Sequence, residues 1–425
     1  MVQKENKMKV FIAGGGLSGL ICGLRLLEKG FEIAIAEKNE ELGGLARCFP
    51  YKNYWLPIFY HHIFAHDKVT LNVLKELKIE EFYKKRIKMG ISFNNKIYEI
   101  SWIKGLSWDF LSIKDKLKFG VLAFQTKVKK DWKELEGKNA EEWLIKKVGS
   151  NVTYKIFAPL MKEKYGLPLR KISAIELAER LKEGEATGTF LYPKKGLKEM
   201  IKRLEKKITK KGGKIYKKAE IKKIIIGRKH EIFFGKEKEK AEILINSLPV
   251  PVFLKISRNL PVTYKKRLEK IRYCSNICIN FVYEEELSKY YWINTFDKVF
   301  GGIIEHTNLA NKYPFKFAWV WKYAPSKKLW NMEKERLINV FYKDIKRIFP
   351  KFEYKEVFVF RDLYASPLYD VNYGKYMPKI ETPIHNLFFT GVATTYPEIR
   401  TMNTAFKSGI KTAYTVASKF KKSCQ

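Results

Sequence analysis

Six residues near the amino end, GGGLSG at 14–19, constrain the fold more than anything else in the chain. They stand between a short apolar run, Val10 to Ala13, and the helix-like ICGLRLLEK. Gly30 closes that helix, and Glu32 to Ala36 reads as a second strand. Gly14, Gly16 and Gly19 fill the G-x-G-x-x-G positions. Their roles are a tight turn, close approach of bare backbone to a pyrophosphate, and tight seating of helix on strand. The helix start, Leu17 and Ser18, turns free N–H groups and a partial positive charge toward the phosphates. Glu37, with Lys38 beside it, ends the second strand 18 residues past Gly19. A carboxylate there hydrogen-bonds ribose hydroxyls and disfavours a 2′-phosphate, so NADP is not expected in this slot. The expectation is a dinucleotide-binding β-α-β unit.

EELGGLAR, residues 40–47, places Gly43 and Gly44 six and seven residues past Glu37. This resembles the second fingerprint of the flavin-binding amine oxidase superfamily, where a Gly-Gly turn lets the backbone close over the flavin pyrophosphate. NAD dehydrogenases of this fold usually lack it, so the resemblance implies FAD. The residue after the pair is often Arg in that family; here it is Leu45, and Arg47, two further on, takes the implied phosphate contact. A later passage, 187–247, runs in the family's order of Pro, Lys-Gly, helix (Leu197 to Lys210), Gly-Gly and strand, and then AEILINSLPVPV (241–252). By the same resemblance Ile221 offers its backbone to the adenine.

HNLFFTGVATTYPEIRTMNTAFKSGIKTAYTV (385–416) reads as strand, glycine, loop and helix. In the family this last helix aims its N-terminus at the pyrimidine end of the flavin, where its dipole stabilises the negative charge of the reduced ring. Gly391, Thr401, Met402 and Asn403 are the implied contacts. Family members usually carry Gly-Asp where this chain has Gly391-Val392, a departure confined to one ribityl or phosphate contact.

The resemblance implies an α/β fold: a Rossmann-like FAD-binding domain of the GR2 type with an inserted mixed α+β substrate or cap domain. The flavin domain is expected to be discontinuous, over 1–68, 187–258 and 375–425, with the cap in 69–186 and 259–374. The first cap piece has helical periodicity at 113–132 and 140–149, with a further helix expected over Ile172 to Glu183. The second alternates like strands at 275–283 and 315–323.

YHHIFAHD, Tyr60 to Asp67, holds half of the chain's six histidines. The i, i+4 spacing of His62 and His66 would put both on one helix face, with Asp67 as an oxygen ligand. A metal would need further ligands on this loop, so no metal is expected. UDP-galactopyranose mutases read roughly Pro-His-Ile-Phe-His at the corresponding place, where relatives run a strand past the flavin. His61 and His62 are therefore candidate catalytic residues, since a near-neutral imidazole is the natural proton carrier. Tyr396 and Arg400 complete the catalytic set, Arg400 as a grip for a substrate carboxylate or phosphate, with a surface ion pair near Glu398 as its bland alternative. Tyr54, Trp55, Phe59, Tyr60, Tyr291 and Trp292 are expected to wall the pocket, and Glu305 and His306 to face the ring.

Nearly the whole chain resembles FAD-dependent oxidoreductases described as protoporphyrinogen oxidase-like or amine oxidase-like. The implied reaction moves a hydride from a C–H or C–N bond of a bulky, partly apolar substrate to flavin N5. A sugar-nucleotide mutase and a non-catalytic flavin-binding protein stay open as alternatives. Lys+Arg number 83 against 45 Asp+Glu, a net charge of +38. The lysines are spread, densest at 206–223, which favours solvated surface over a nucleic-acid groove and leaves peripheral contact with an anionic membrane open. A small-molecule or lipid substrate is expected, and no nucleic acid. Five scattered cysteines give no disulfide framework, and MVQKENKMKV lacks the apolar stretch of a signal peptide. A cytoplasmic place, with peripheral contact at the inner membrane face left open, is the expectation.

Overall fold

The computed structural model describes residues 7–100, 108, 110–129, 131–183 and 188–421. Cys424 and residue 187, a proposed boundary, lie outside them. Five short strands form one parallel sheet in the spatial order Lys214–Tyr216, Glu32–Ala36, Lys9–Ala13, Ile243–Asn246 and Leu387–Phe389. The β-α-β unit is in place: Val10 pairs with Ile33 on one side and Ile243 on the other. Lys9–Ala13 and Glu32–Ala36 bury four of their five residues each: helix Leu17–Leu27 packs on one face of the sheet, and a second sheet packs on the other, with Phe11 and Phe234 ring centroids 5.4 Å apart. Leu17–Leu27 packs against Gly196–Lys210 and Met402–Lys421. The last approach is close enough that a Cβ on Gly409 would stand 2.3 Å from the Ser18 carbonyl oxygen.

Beside this sheet a four-stranded one is built from Glu237–Ala241, His230–Phe234, Ile221–Ile225 and Ser257–Arg258. The cap is a seven-stranded mixed sheet ordered Glu356–Pro367, Tyr273–Tyr283, Lys316–Tyr323, Gly302–Glu305, Trp292–Thr295, Met89–Phe93 and Lys96–Ile100. Only the Trp292–Thr295 and Met89–Phe93 pairing in it is parallel. The amphipathic helix Lys334–Ile348 closes one face of this sheet over a second hydrophobic core. Helices Ile113–Val128, Ala140–Val152, Ala158–Tyr165 and Ala174–Glu183 fall in the first stretch expected for the cap. This is the expected mixed α/β architecture.

Two small sheets complete the described strands: Cys48–Tyr51 with Tyr54–Pro57, and Thr189–Pro193 between Ile63–Phe64 and Phe82–Arg86. We propose the division into flavin and cap segments expected from sequence, with helix Lys68–Glu76 moved to the flavin side. Its Thr70 amide donates to Asn403 Oδ1 at 3.0 Å, and Arg203 Nη1 donates to the Leu77 carbonyl just beyond it at 3.0 Å.

Candidate active site and cofactor cradle

The two glycine turns lie against each other. Gly43 N–H donates to the Gly15 carbonyl at 2.9 Å, and Gly16 and Gly43 bridge in parallel. A Cβ on Gly44 would stand 3.1 Å from Gly16 Cα. Gly14, Gly43 and Gly44 have φ of 103°, 105° and 61°, which side chains disfavour. The result is a floor of bare backbone. At its edge helix Leu17–Leu27 starts with no side-chain cap and no acid in its first turn, so its leading amides are open to an anion. Gly19 acts differently, by seating the helix on the turn. A Cβ there would be 2.4 Å from the Gly14 carbonyl oxygen. Glu37 is buried at the end of its strand. Its Oε2 accepts from the Gly15 amide at 3.0 Å, and its Oε1 accepts from the Asn39 amide at 3.0 Å and Nδ2 at 2.6 Å. Each carboxylate oxygen has two lone-pair sites, so acceptor capacity is left for a ribose hydroxyl. Lys38 is exposed and Leu45 half-buried.

Arg47 folds back over the second turn and donates from Nη1 to the Gly44 carbonyl at 3.0 Å. Ile221 begins the strand next to this edge, where the Ala219 amide donates to the Glu37 carbonyl at 2.8 Å. From the far side comes Gly391 (φ 94°), where an added Cβ would be 3.7 Å from Ser18 Oγ; its amide donates to Ser408 Oγ at 2.9 Å. Ser18 in turn donates to the Ala405 carbonyl at 2.9 Å. Thr401 caps helix Met402–Lys421 reciprocally with Thr404: Thr401 N–H donates to Thr404 Oγ1 at 2.9 Å, and Thr404 N–H to Thr401 Oγ1 at 3.1 Å. Met402 is buried. Bare backbone, an uncapped helix start, a ribose-reaching acid and a basic side chain together fit the adenine dinucleotide half of FAD.

Arg400, just ahead of the final helix, marks the other end of the site. Its Nη2 donates to Tyr323 Oη at 2.8 Å, and Tyr323 Oη lies 3.1 Å from Tyr60 Oη. No carboxylate among the described residues pairs with Arg400, and Glu398 pairs with Lys407 instead. His61 Nδ1 lies 3.0 Å from the Phe59 carbonyl, which can only accept. The proton is therefore on Nδ1, and Nε2 is left as an acceptor. Burial pushes the His61 imidazole down to about 4; the Phe59 hydrogen bond opposes this and nearby Arg400 adds to it. His61 is neutral at physiological pH. His62 faces the other way, as neighbours in extended backbone do. It stacks on Phe190 with ring centroids 3.9 Å apart, and its Nδ1 is 3.4 Å from Tyr291 Oη.

A family model described as flavin containing amine oxidoreductase matches residues 17–417. The chain belongs to this family. It is an FAD-dependent oxidoreductase. Among solved structures it is similar to a protein from Exiguobacterium sp. 255-15 assigned provisionally as a protoporphyrinogen oxidase (14% identity, 98% of this chain and 99% of that one, TM-score 0.78). It is also similar to putrescine oxidase bound to putrescine (13% identity, 97% and 99% covered, TM-score 0.78) and to reduced UDP-galactopyranose mutase (16% identity, 97% and 96% covered, TM-score 0.77). At such identities the likeness shows the fold alone. A curated relative, 4,4'-diapolycopen-4-al dehydrogenase of Metabacillus indicus, is 54% identical over 37 residues, 9% of this chain and only 8% of the relative's length.

Within this family fold the remaining expected residues have these surroundings. His62 and His66 share no helix face, because Ile63–Phe64 is a strand. His66 Nε2 instead lies 2.8 Å from Glu183 Oε2 at the surface, and Asp67 accepts from the Phe64 amide at 3.0 Å. His66, Asp67 and Glu183 do converge, with ligand-type atoms within 4.8 Å of one another, and the His66–Glu183 contact and the Asp67 turn are the interactions these groups make. Asn403 Oδ1 accepts from the Thr70 amide at 3.0 Å and the Thr70 hydroxyl at 3.4 Å. Tyr396 is buried among Tyr369 and Tyr373, its hydroxyl 2.8 Å from Ser173 Oγ. Glu305 and His306, expected to face the ring, are buried in the cap. Glu305 accepts from the Leu287 and Ser288 amides and from Asn308 Nδ2 at 3.0–3.3 Å, while His306 sits among Tyr192, Tyr313, Phe317 and Trp319. Tyr323 and Ser408 were missed. For Tyr323 the signal was the alternation Phe317, Trp319, Trp321, Tyr323; for Ser408 there was none.

Proposed function

We propose that the chain removes a hydride from a C–H bond, including one on a carbon bonded to nitrogen, of a bulky, partly apolar substrate, small molecule or lipid, that carries an anionic or neutral polar end. A proton leaves the adjacent N–H, O–H or C–H to solvent. The observation that carries this reading is the Arg400–Tyr323–Tyr60 line beside neutral His61, flanked by Trp292 and Trp321. A guanidinium is always charged, and no carboxylate among the described residues pairs with it. It attracts a carboxylate, phosphate or carbonyl and repels an ammonium, so small diamines of the putrescine kind are poor substrates.

FAD, when bound, supplies the two-electron acceptor, with N5 as the hydride-accepting atom. The backbone of Gly14, Gly16, Leu17, Ser18, Gly43 and Gly44 would hold its diphosphate, with Arg47 beside it and Glu37 on the ribose. Ile221 would meet the adenine, and Gly391, Thr401 and Met402 the ribityl and pyrimidine side. Arg400 binds the polar end of the substrate, and Tyr323 with Tyr60 fixes its guanidinium. His61 Nε2 accepts a hydrogen bond from a substrate N–H or O–H and so orients it. His62 and Tyr396 act through packing: one shapes the aromatic wall, the other fastens the loop that carries Arg400.

The test is anaerobic mixing of the yellow holoprotein with amphipathic candidates, tetrapyrrole and polyene acids and aldehydes, beside putrescine. Flavin bleaching by an anionic or carbonyl-bearing apolar compound, with reoxidation by an added acceptor, supports the reading. Bleaching by putrescine alone would sink it. Turnover that needs prior dithionite reduction and gives no oxidised product would establish mutase chemistry instead.

A further inference from the structure

The helix Ile113–Val128 packs one face on Ala140–Val152 and Ala174–Glu183, with Leu122 and Thr126 buried there. Its opposite face is apolar as well. Ile113, Leu117, Val121, Phe124 and Val128 are 75%, 64%, 56%, 64% and 60% exposed. At about 100° per residue these five side chains fall within an arc of about 80°. On the same count Lys114 and Lys118 border one side of the arc, and Lys116 and Lys127 the other. Asp115 is the only acid on the helix, and it is tied into the capping box with Ser112 and bonded to Asn151. Phe93, 41% exposed, extends the apolar surface through its contact with Phe110, ahead of Ile113.

An outward row of large apolar side chains bracketed by lysines is an unusual surface. No helix among the described residues is long and apolar enough to cross a membrane. This one has the pattern of a helix lying in the plane of a bilayer surface, with apolar residues sunk below the headgroups and lysines level with the phosphates. We propose that Ile113–Val128 docks the enzyme on an anionic lipid surface. Charge decides the occupant. A second copy packed on this face would bring two lysine-edged rows together, like charge on like, in a chain whose net charge is +38. An anionic bilayer offers the opposite charge along the whole helix. The proposal stands apart from the substrate reading, because docking is measured without turnover.

The experiment is sedimentation of holoprotein with vesicles of phosphatidylcholine containing phosphatidylglycerol, and with vesicles of phosphatidylcholine alone. Native protein is expected to bind the anionic vesicles, more weakly as salt rises, and to bind the neutral ones poorly. The Leu117→Glu, Phe124→Glu double variant is expected to keep its flavin and melting temperature, since both side chains face solvent. It should lose vesicle partitioning by about tenfold or more. A Lys114→Gln, Lys118→Gln variant should lose only the preference for anionic over neutral vesicles. Native protein that stays in solution, or a double variant that sediments as native does, would overturn the proposal. So would light scattering showing a native dimer that the double variant dissolves, which would make a second copy the occupant.

Discussion

The cofactor cradle and the reactive end are built in opposite ways. The cradle is nearly local: Gly14 to Gly19, Glu37, and Gly43 to Arg47 lie within 34 residues, and its glycine turns act through backbone and through the absence of side chains, with the Glu37 and Arg47 side chains at their edge. The reactive end is gathered from Tyr60, Tyr323 and Arg400, one residue each from three distant stretches, and works through side-chain hydrogen bonds. A local backbone device leaves a spacing that can be read from a string of letters. A device assembled across the fold leaves single residues that look like any other tyrosine or arginine.

Substitutions can sharpen that contrast. The largest effect is expected for Gly16→Val, which places a branched side chain over the bare floor. Flavin absorbance per chain should fall by about a hundredfold while circular dichroism still reports folded protein. A yellow Gly16→Val protein would break the comparison, because the cradle would not depend on bare backbone. Arg400→Met comes next. It should keep its flavin yet raise the KM for the polar-ended substrate by about 30-fold, the scale of a lost buried charge contact. Flavin loss in this variant would show that the two regions are not separable.

His61→Gln should lower turnover by about tenfold, a hydrogen-bond effect, and change the acid limb of the pH profile. Because burial holds His61 down to about 4, native activity should persist well below the ordinary histidine range and fall only as pH nears 4. The glutamine variant should lack that limb. The sign for stability follows from the same depression. His61, with His230 at about 4 and His306 at about 3, binds fewer protons folded than unfolded. Their stabilisation is present above about 6.5 and is lost as pH falls toward 4. The melting temperature should therefore fall over that window, and less steeply in His61→Gln. The smallest effect belongs to His62→Ala: retained flavin, reduced turnover by a few-fold, and about 1–2 kcal/mol of stability lost with the Phe190 stack, measured by urea unfolding.

The legible part of the molecule follows this division. Hydrophobic runs and glycine spacing placed the first β-α-β unit with helix Leu17–Leu27, and the family resemblance placed the second glycine turn, because each is set by neighbours in sequence. The i, i+4 spacing of His62 and His66 left a shared helix face open; pairing of Ile63 and Phe64 with Leu191 and Phe190 holds that stretch extended, as the resemblance implied. Glu305 and His306 follow a Gly-Gly pair and looked like site residues; burial in the cap is a property of the seven-stranded sheet that no local pattern carries. The exposed row on Ile113–Val128 was hidden for a related reason. A helix apolar on two faces reads as core, and only the packing shows which face has no partner.

The central claim is that bare backbone at two glycine turns, joined by the carboxyl-terminal helix, holds one FAD. It is tested most directly by the cofactor content of native protein made in cells with ample riboflavin. One FAD per chain, released on denaturation, is the expected result. Colourless protein that also fails to take up added FAD would contradict it.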